Sequence, residues 1–167
     1  MSANNGLIFD ENRVADSTLR IAYQIYEANF DRKRLYLVGI ASNGLVYAER
    51  IKNCLERISS LEVILVELQV DKKNPLAQVR SSIALEELKD QSVVVVDDVL
   101  NTGSTLMYAV KYLLDVSLAQ LNTAVLVNRN HKKYPVKADF KGVSLSTSVN
   151  EHIEVRFDGA TAGVYLT

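Results

Sequence analysis

The sequence predicts an α/β domain with a mainly parallel sheet, helices on both faces of that sheet, and a small hood built from the two chain ends. Three observations carry that expectation. Val93-Val94-Val95-Val96 is an apolar run too short to cross a membrane, and it reads as a strand buried on both faces between helical layers. A loop of small residues and a helix beginning near Ser104 follow it, and Leu35-Tyr36-Leu37-Val38-Gly39-Ile40 shows the same strand–loop–helix order earlier in the chain. Finally, 167 residues, 48% hydrophobic and 23% charged, suit one domain spanning 1–167, with enough chain for a proper core and no compositional sign of disorder.

The first element is a helix from about Asp10 to Asn29, in which Asp10 can serve as the cap while Val14, Ile21, Ala22 and Ile25 recur at helical spacing. Leu35 to Ile40 is the first core strand, and Ala41-Ser42-Asn43-Gly44 turns it into a helix ending near Ser59. Val63 to Val70 alternates enough to be the next strand, and Asp71-Lys72-Lys73-Asn74-Pro75 is a polar, proline-containing turn. After the valine strand, a helix carries the apolar stripe Leu106, Met107, Ala109, Val110, Leu113 and Leu114. Asn122 to Val127 is a further strand running into the polar loop at Asn130 and His131. Gly142 to Leu145, Ile153 to Phe157 and Val164 to Leu166 read as short strands of the hood.

Chemistry concentrates after the valine run. Asp97 and Asp98 stand at the carboxyl end of the strand, where open α/β sheets bind their ligands. Asn101-Thr102-Gly103-Ser104-Thr105 then leads into a helix, so it offers free backbone N–H groups and the positive end of a helix dipole, which suit a phosphate. Carboxylates would repel that phosphate directly, so they suit sugar hydroxyls or a metal ion instead. Taken singly, strand-end acids and a Thr/Ser helix cap are ordinary. In one register they point to a ribose on one side and a phosphate on the other. No Gly-Lys-Ser/Thr follows, and no Gly-x-Gly-x-x-Gly occurs in the chain, which sets aside the two commonest nucleotide-binding patterns.

Val95-Val96-Asp97-Asp98-Val99-Leu100-Asn101-Thr102-Gly103-Ser104-Thr105 resembles the phosphoribosyl-pyrophosphate (PRPP) motif of type I phosphoribosyltransferases. Within that superfamily it is most similar to the bifunctional pyrimidine-operon attenuator/uracil phosphoribosyltransferase family. Leu7-Ile8-Phe9-Asp10-Glu11 with Arg20-Ile21-Ala22 resembles that family's first helix, and Val38-Gly39-Ile40 followed by Gly44 resembles its pyrophosphate loop. Ala124 to Arg129, with His131 and Pro135, resembles the segment near its base site. The resemblance covers nearly the whole chain. It implies transfer of ribose 5-phosphate from PRPP to a nucleobase, uracil foremost, with release of pyrophosphate, magnesium (Mg2+) held mainly by the substrate, and a homodimer. It further implies that Asn101, Thr102, Gly103, Ser104 and Thr105, with Val99 and Leu100 beside them, bind the 5-phosphate. Asp97 and Asp98 would be the catalytic acids that position the ribose. Ala41, Ser42, Asn43 and Gly44 would receive the pyrophosphate, and Asn128 and Arg129 would lie near the base.

The chain also departs from that family. Ala41-Ser42-Asn43-Gly44 stands where the family usually carries Lys-Thr-Arg-Gly, so two cations are missing. The segment after Asp71 is short and lacks the Arg-Asp-Asp stretch of a closing lid; Gln78, Arg80, Ser81 and Ser82 are its polar candidates, and a short hairpin fits as well as a lid. Asn101 and Ser104 replace the frequent Tyr and Arg. These departures support an alternative: a non-catalytic nucleotide-sensing or RNA-binding regulator that keeps the PRPP site. RNA itself is open but not favoured. Nineteen basic residues face 20 acidic ones, the net charge is −1, and Lys132, Lys133 and Lys137 make only a small cluster. Leu19 and Tyr23 also stand where the regulatory relatives tend to carry Thr and His. A lone cysteine, Cys54, has no internal partner and reads as a packed side chain. No stretch resembles a signal peptide or reaches membrane length, and the expectation is a cytoplasmic protein.

Overall fold

The computed structural model describes residues 6–167; residues 1–5 of the expected domain lie outside the described residues. The chain runs β1 (Leu7–Asp10), α1 (Glu11–Ala28), β2 (Arg34–Ile40), α2 (Asn43–Ile58), β3 (Glu62–Gln69), β4 (Arg80–Ser81), β5 (Ser92–Leu100), α3 (Ser104–Leu113), β6 (Gln120–Arg129), β7 (Phe140–Leu145), β8 (Ile153–Arg156) and β9 (Gly163–Leu166). Six strands form one sheet in the order β4-β3-β2-β5-β6-β7. All neighbours are parallel except the short edge strand β4, which pairs antiparallel with β3.

Strand alternation places the two cores. Val94 and Val96, with Leu35 and Leu37, point to one face, where Ile21 and Ile25 of α1 and Tyr47, Ile51 and Leu55 of α2 cover them. Val93 and Val95, with Tyr36, Val38 and Ile40, point to the other, under Leu106, Ala109 and Leu113 of α3. Every valine of the run is wholly buried, as an interior strand between two helical layers requires. The stripe on α3 is narrower than the sequence suggests: Leu106, Ala109 and Leu113 are buried, Met107 and Val110 are partly covered, and Leu114 is exposed at the helix end.

Asp10 caps α1 by accepting a hydrogen bond from the Arg13 N–H at 2.9 Å. The residues before it are not helical, however. Leu7–Asp10 is a strand that pairs antiparallel with β9, which in turn pairs with β8, so the resemblance of Leu7 to Phe9 to the start of a helix is corrected. These three strands form the hood, built from both chain ends as expected. A second correction concerns Gly142 to Leu145. They belong to β7, the parallel edge of the main sheet, and not to the hood. Arg20 of α1 covers that edge, donating to the carbonyls of Lys141 and Gly142 at 3.2 and 2.7 Å. The polar turn after β3 forms a hairpin with β4, with Gln69 opposite Arg80. No helix among the described residues is long and apolar enough to cross a membrane.

Candidate active site

The chain leaves β2 through α2 to reach β3 on one side, and leaves β5 through α3 to reach β6 on the other. The order therefore divides between β2 and β5, and the crevice outside their carboxyl ends is the topological switch point where such sheets take ligands. Ala41 to Gly44 and Asp97 to Thr105 flank that crevice. The peptide between Ala41 and Ser42 is cis.

Two glycines make the crevice tight. Gly44 lies in the first turn of α2, and a Cβ there would stand 2.8 Å from the Val96 carbonyl oxygen and 3.0 Å from Asp97 Oδ1, so only glycine lets the helix approach the end of β5 this closely. Gly103 has φ +87, and a Cβ on it would meet Val136 Cγ1 at 2.5 Å. Its lack of a side chain thus serves the turn into α3 and the packing of the 134–136 segment. Replacing it tests the fold of the loop as much as its contact with a phosphate.

The two acids differ. Asp97 is 4% exposed, and its Oδ1 accepts the Asp98 N–H at 2.9 Å. Burial pushes the Asp97 carboxyl well above the usual range; the neighbouring Asp98 charge adds to that shift, and Lys72 opposes it. Asp98 is half-buried. Its Oδ1 accepts the Val99 N–H at 2.8 Å and its Oδ2 accepts the Asn43 amide at 3.1 Å. The same Asn43 amide donates to the Val155 carbonyl at 3.1 Å, so one side chain ties the β2 loop to Asp98 and to the hood.

Asn101 to Thr105, with Asp97, Val99 and Lys72, enclose a cavity of about 70 Å³. The Met107 N–H is the first to reach back along the helix, bonding the Gly103 carbonyl at 2.9 Å, so the preceding first-turn N–H groups have no helical acceptors. Thr102 orders the loop from both ends: its Oγ1 accepts the Ser104 N–H at 3.3 Å, and its carbonyl accepts the N–H groups of Lys133 and Tyr134. Leu100, expected among the binding residues, lines the cavity while its side chain is packed into the α3-side core.

Ala41, Gln78 and Arg80 share a second hollow, and Asn43, Val155 and Phe157 line a third between α2 and the hood. Asn128 and Arg129 are both buried. Asn128 donates to Ser144 Oγ at 3.2 Å, leaving its buried Oδ1 without a partner. Arg129 is a clamp: it donates to Asn101 Oδ1 at 2.9 Å, to Thr147 Oγ1 at 2.7 Å and to the Glu151 carbonyl at 2.7 Å. Its guanidinium holds the loop at Asn101 to the 147–151 segment.

Lys72 is the residue that sequence reasoning passed over. It sits in a polar turn, and nothing in its neighbours along the chain marks it; only its place just beyond the carboxyl end of β3, two strands from β5, could have suggested that a four-carbon stem reaches Asp97.

The phosphoribosyl transferase domain matches residues 6–158 of this chain. A bifunctional protein PyrR of Pediococcus pentosaceus is 34% identical over 158 residues, covering 89% of this chain and 89% of its own. Another, from Fusobacterium nucleatum, is 34% identical over 163 residues, covering 93% and 92%. Among solved structures, a hypoxanthine phosphoribosyltransferase of Trypanosoma cruzi in complex with the product IMP superposes with a TM-score of 0.80 at 16% identity, over 99% of this chain and 96% of that one. A hypoxanthine-guanine phosphoribosyltransferase of Bacillus anthracis gives 0.76 at 16% identity, over 96% of each. At that identity the structural likeness speaks for the fold alone.

Proposed function

The chain belongs to the type I phosphoribosyltransferase family, with the bifunctional PyrR proteins among its relatives, and from that premise we propose that it transfers ribose 5-phosphate from PRPP to a nucleobase, uracil first among the candidates, releasing pyrophosphate. One observation carries the reading: at the switch point, a cavity floored by the first turn of α3 and loop 101–105 opens beside two carboxylates at the end of β5. The 5-phosphate takes the backbone N–H groups at Asn101 to Thr105. Asp98, held by Asn43, accepts from the ribose hydroxyls, and Asp97 sets the backbone of Asp98 through its own hydrogen bond. The pyrophosphate lies along Ala41 to Gly44. The base lies in the hollow between Asn43 and the hood residues Val155 and Phe157, next to Asp98 through its hydrogen bond with Asn43. Catalysis of this kind rests on positioning and on stabilising charge as the glycosidic bond to pyrophosphate breaks, with no protein nucleophile required.

Magnesium fits this donor set in one way. Asp98 offers a hard carboxylate oxygen at the crevice, and among the described residues no three carboxylates, histidines or cysteines gather into a cage. Such an ion would be held mainly by the pyrophosphate, with Asp98 the carboxylate that could contribute to holding it. When bound, it would offset the charge of the departing pyrophosphate. The proposal takes the chain as a single domain over 1–167 in the cytoplasm; a homodimer rests on the family likeness alone.

A second reading has its own observation. Loop 41–44 is Ala-Ser-Asn-Gly and carries no cation, and both N–H donations of the Asn43 amide are spent inside the protein, so the loop offers a pyrophosphate little beyond backbone groups and the Ser42 hydroxyl. A nucleotide-binding regulator without turnover is the outcome favoured by that poverty. Mixing PRPP, magnesium and each candidate base and following pyrophosphate release decides between the two. Release with one base supports the enzyme; tight nucleotide binding with no release from any base supports the regulator.

A further inference from the structure

We propose that Lys72 is a ligand-binding residue of this site, delivering from the β3–β4 turn the positive charge that loop 41–44 lacks to the phosphate held at Asn101 to Thr105. The proposal rests on the reading of the site as one for PRPP or a nucleoside monophosphate. Lys72 lines the same cavity as the phosphate loop although it comes from the end of a different strand. Its Nζ stands 3.9 Å from Asp97 Oδ1, beyond hydrogen-bonding distance, and its side chain stays 52% exposed. Arg50–Glu11 and Lys52–Glu56 close to 2.6 Å, whereas Lys72–Asp97 stays open, as do the surface pairs Arg32–Asp31 at 3.9 Å and Lys137–Asp139 at 3.8 Å. Asp97 Oδ1 is meanwhile occupied by the Asp98 N–H. Lys72 is therefore drawn towards the buried carboxylate without being docked on it.

The turn that presents it is ordered. Asp71 Oδ1 accepts the N–H groups of Lys73 and Asn74 at 2.9 and 3.1 Å, and the Ser82 N–H bonds the Glu67 carbonyl at 3.0 Å across the hairpin. Charge supplies the need. A phosphate entering beside Asp97 brings nearly two negative charges, while a helix N-terminus offers the equivalent of roughly half a positive one. A compact ammonium on a flexible stem suits that deficit, because it can leave Asp97 for the phosphate without a change of backbone.

Calorimetric titration with ribose 5-phosphate as the probe tests this, on wild type, Lys72→Met, Lys72→Arg and the neighbouring Lys73→Met, at low and at physiological salt. Lys72→Met should weaken binding about tenfold, the size expected for one charge-assisted hydrogen bond, and flatten the salt dependence. Lys72→Arg should recover most of the affinity, Lys73→Met should match wild type, and the ligand-free melting temperature of Lys72→Met should stay within about 2 °C of wild type, as for a change at a half-exposed side chain. Equal or tighter binding by Lys72→Met, with wild type binding normally, overturns the proposal and leaves Lys72 as a counter-ion to Asp97. Failure of wild type to bind either ribose 5-phosphate or PRPP overturns the reading of the site itself, and this proposal with it.

Discussion

Replacing Asp97 by Asn should make the ligand-free protein more stable and the site less able to bind. Asp97 is 4% exposed, next to a second carboxylate, with the Lys72 ammonium at 3.9 Å. Its carboxyl is held well above the usual range, chiefly by burial, then by Asp98. The native state thus keeps a proton that the unfolded chain has already released, over the window from the ordinary value of 3.8 up to the raised one. Stability is highest below that window, declines as pH rises through it, and above it carries the full cost of the buried charge. Asn has nothing to release, and its Oδ1 can still accept the Asp98 N–H. An incompletely compensated buried polar group costs about 1–3 kcal/mol. Lys72 and the Asp98 N–H return part of that, which puts the gain of Asp97→Asn at about 1–2 kcal/mol, or about 2–8 °C in Tm for a domain of this size. Urea unfolding from pH 5 to 8.5 should show the two proteins diverging as pH rises, while calorimetry at pH 8 shows at least about tenfold weaker PRPP binding in the variant. A variant that is less stable than wild type at pH 8 and binds PRPP normally would refute the reasoning and make the carboxylate structural.

Gly44→Ala should cost about 1–3 kcal/mol in urea unfolding, because its Cβ would meet the Val96 carbonyl at 2.8 Å and neither that strand nor α2 can yield freely; a cost under about 0.5 kcal/mol contradicts the close approach. Arg129→Met should destabilise by about 2–4 kcal/mol, since it strips hydrogen bonds from Asn101, Thr147 and Glu151 in a buried setting; a change within about 0.5 kcal/mol contradicts the clamp. Arg80→Met should weaken PRPP about fivefold or more, the scale of one charged contact, and leave uridine monophosphate affinity alone, because Arg80 shares its hollow with Ala41 and not with the phosphate loop; equal losses for both ligands refute that division. In gel shifts with candidate leader RNAs at about physiological salt, specific binding should be weak, since Lys137 already faces Asp139 at 3.8 Å and the cluster is small. Submicromolar binding, enhanced by uridine monophosphate and abolished by Lys132→Glu with Lys137→Glu, contradicts that expectation.

What the sequence made legible is what short-range chemistry dictates. Four valines in a row can be satisfied only by burial on both faces, and both faces are indeed covered, by α1 and α2 on one side and α3 on the other. Asp10 caps its helix because its side chain and the Arg13 N–H are three residues apart, a relation the sequence displays directly. The elements that escaped are defined by partners far along the chain. Leu7–Asp10 is four residues long, too short to show a period, and is a strand only because β9 lies beside it. Phe140–Leu145 has the mixed burial of any edge strand, so its apolar pattern could not tell the main sheet from the hood; Arg20, more than a hundred residues earlier, marks which edge it is.

The site divides along the same line, and the division bears on function. The loop at Asn101 to Thr105 was readable as the lining of a cavity at the end of β5 because it is made of consecutive small residues leading into a helix. The side chains that tune it were not, because their roles depend on reach across strands. Asn43 looked like a pyrophosphate ligand from its place after β2, yet its amide is spent on Asp98 and the Val155 carbonyl. Family resemblance alone places Arg129 near the base, and its hydrogen bond to Asn101 depends on reach from the end of β6 that the sequence does not display. Lys72 looked like a turn residue, yet it lines the cavity beside Asn101 to Thr105. Two cations flank the 101–105 loop: Arg129 is buried as a brace, and Lys72 stands at the cavity from the β3–β4 hairpin, which is more exposed than the sheet beneath it. Ligand affinity in this chain should therefore respond more to changes at residues 71–80 than to changes at 41–44.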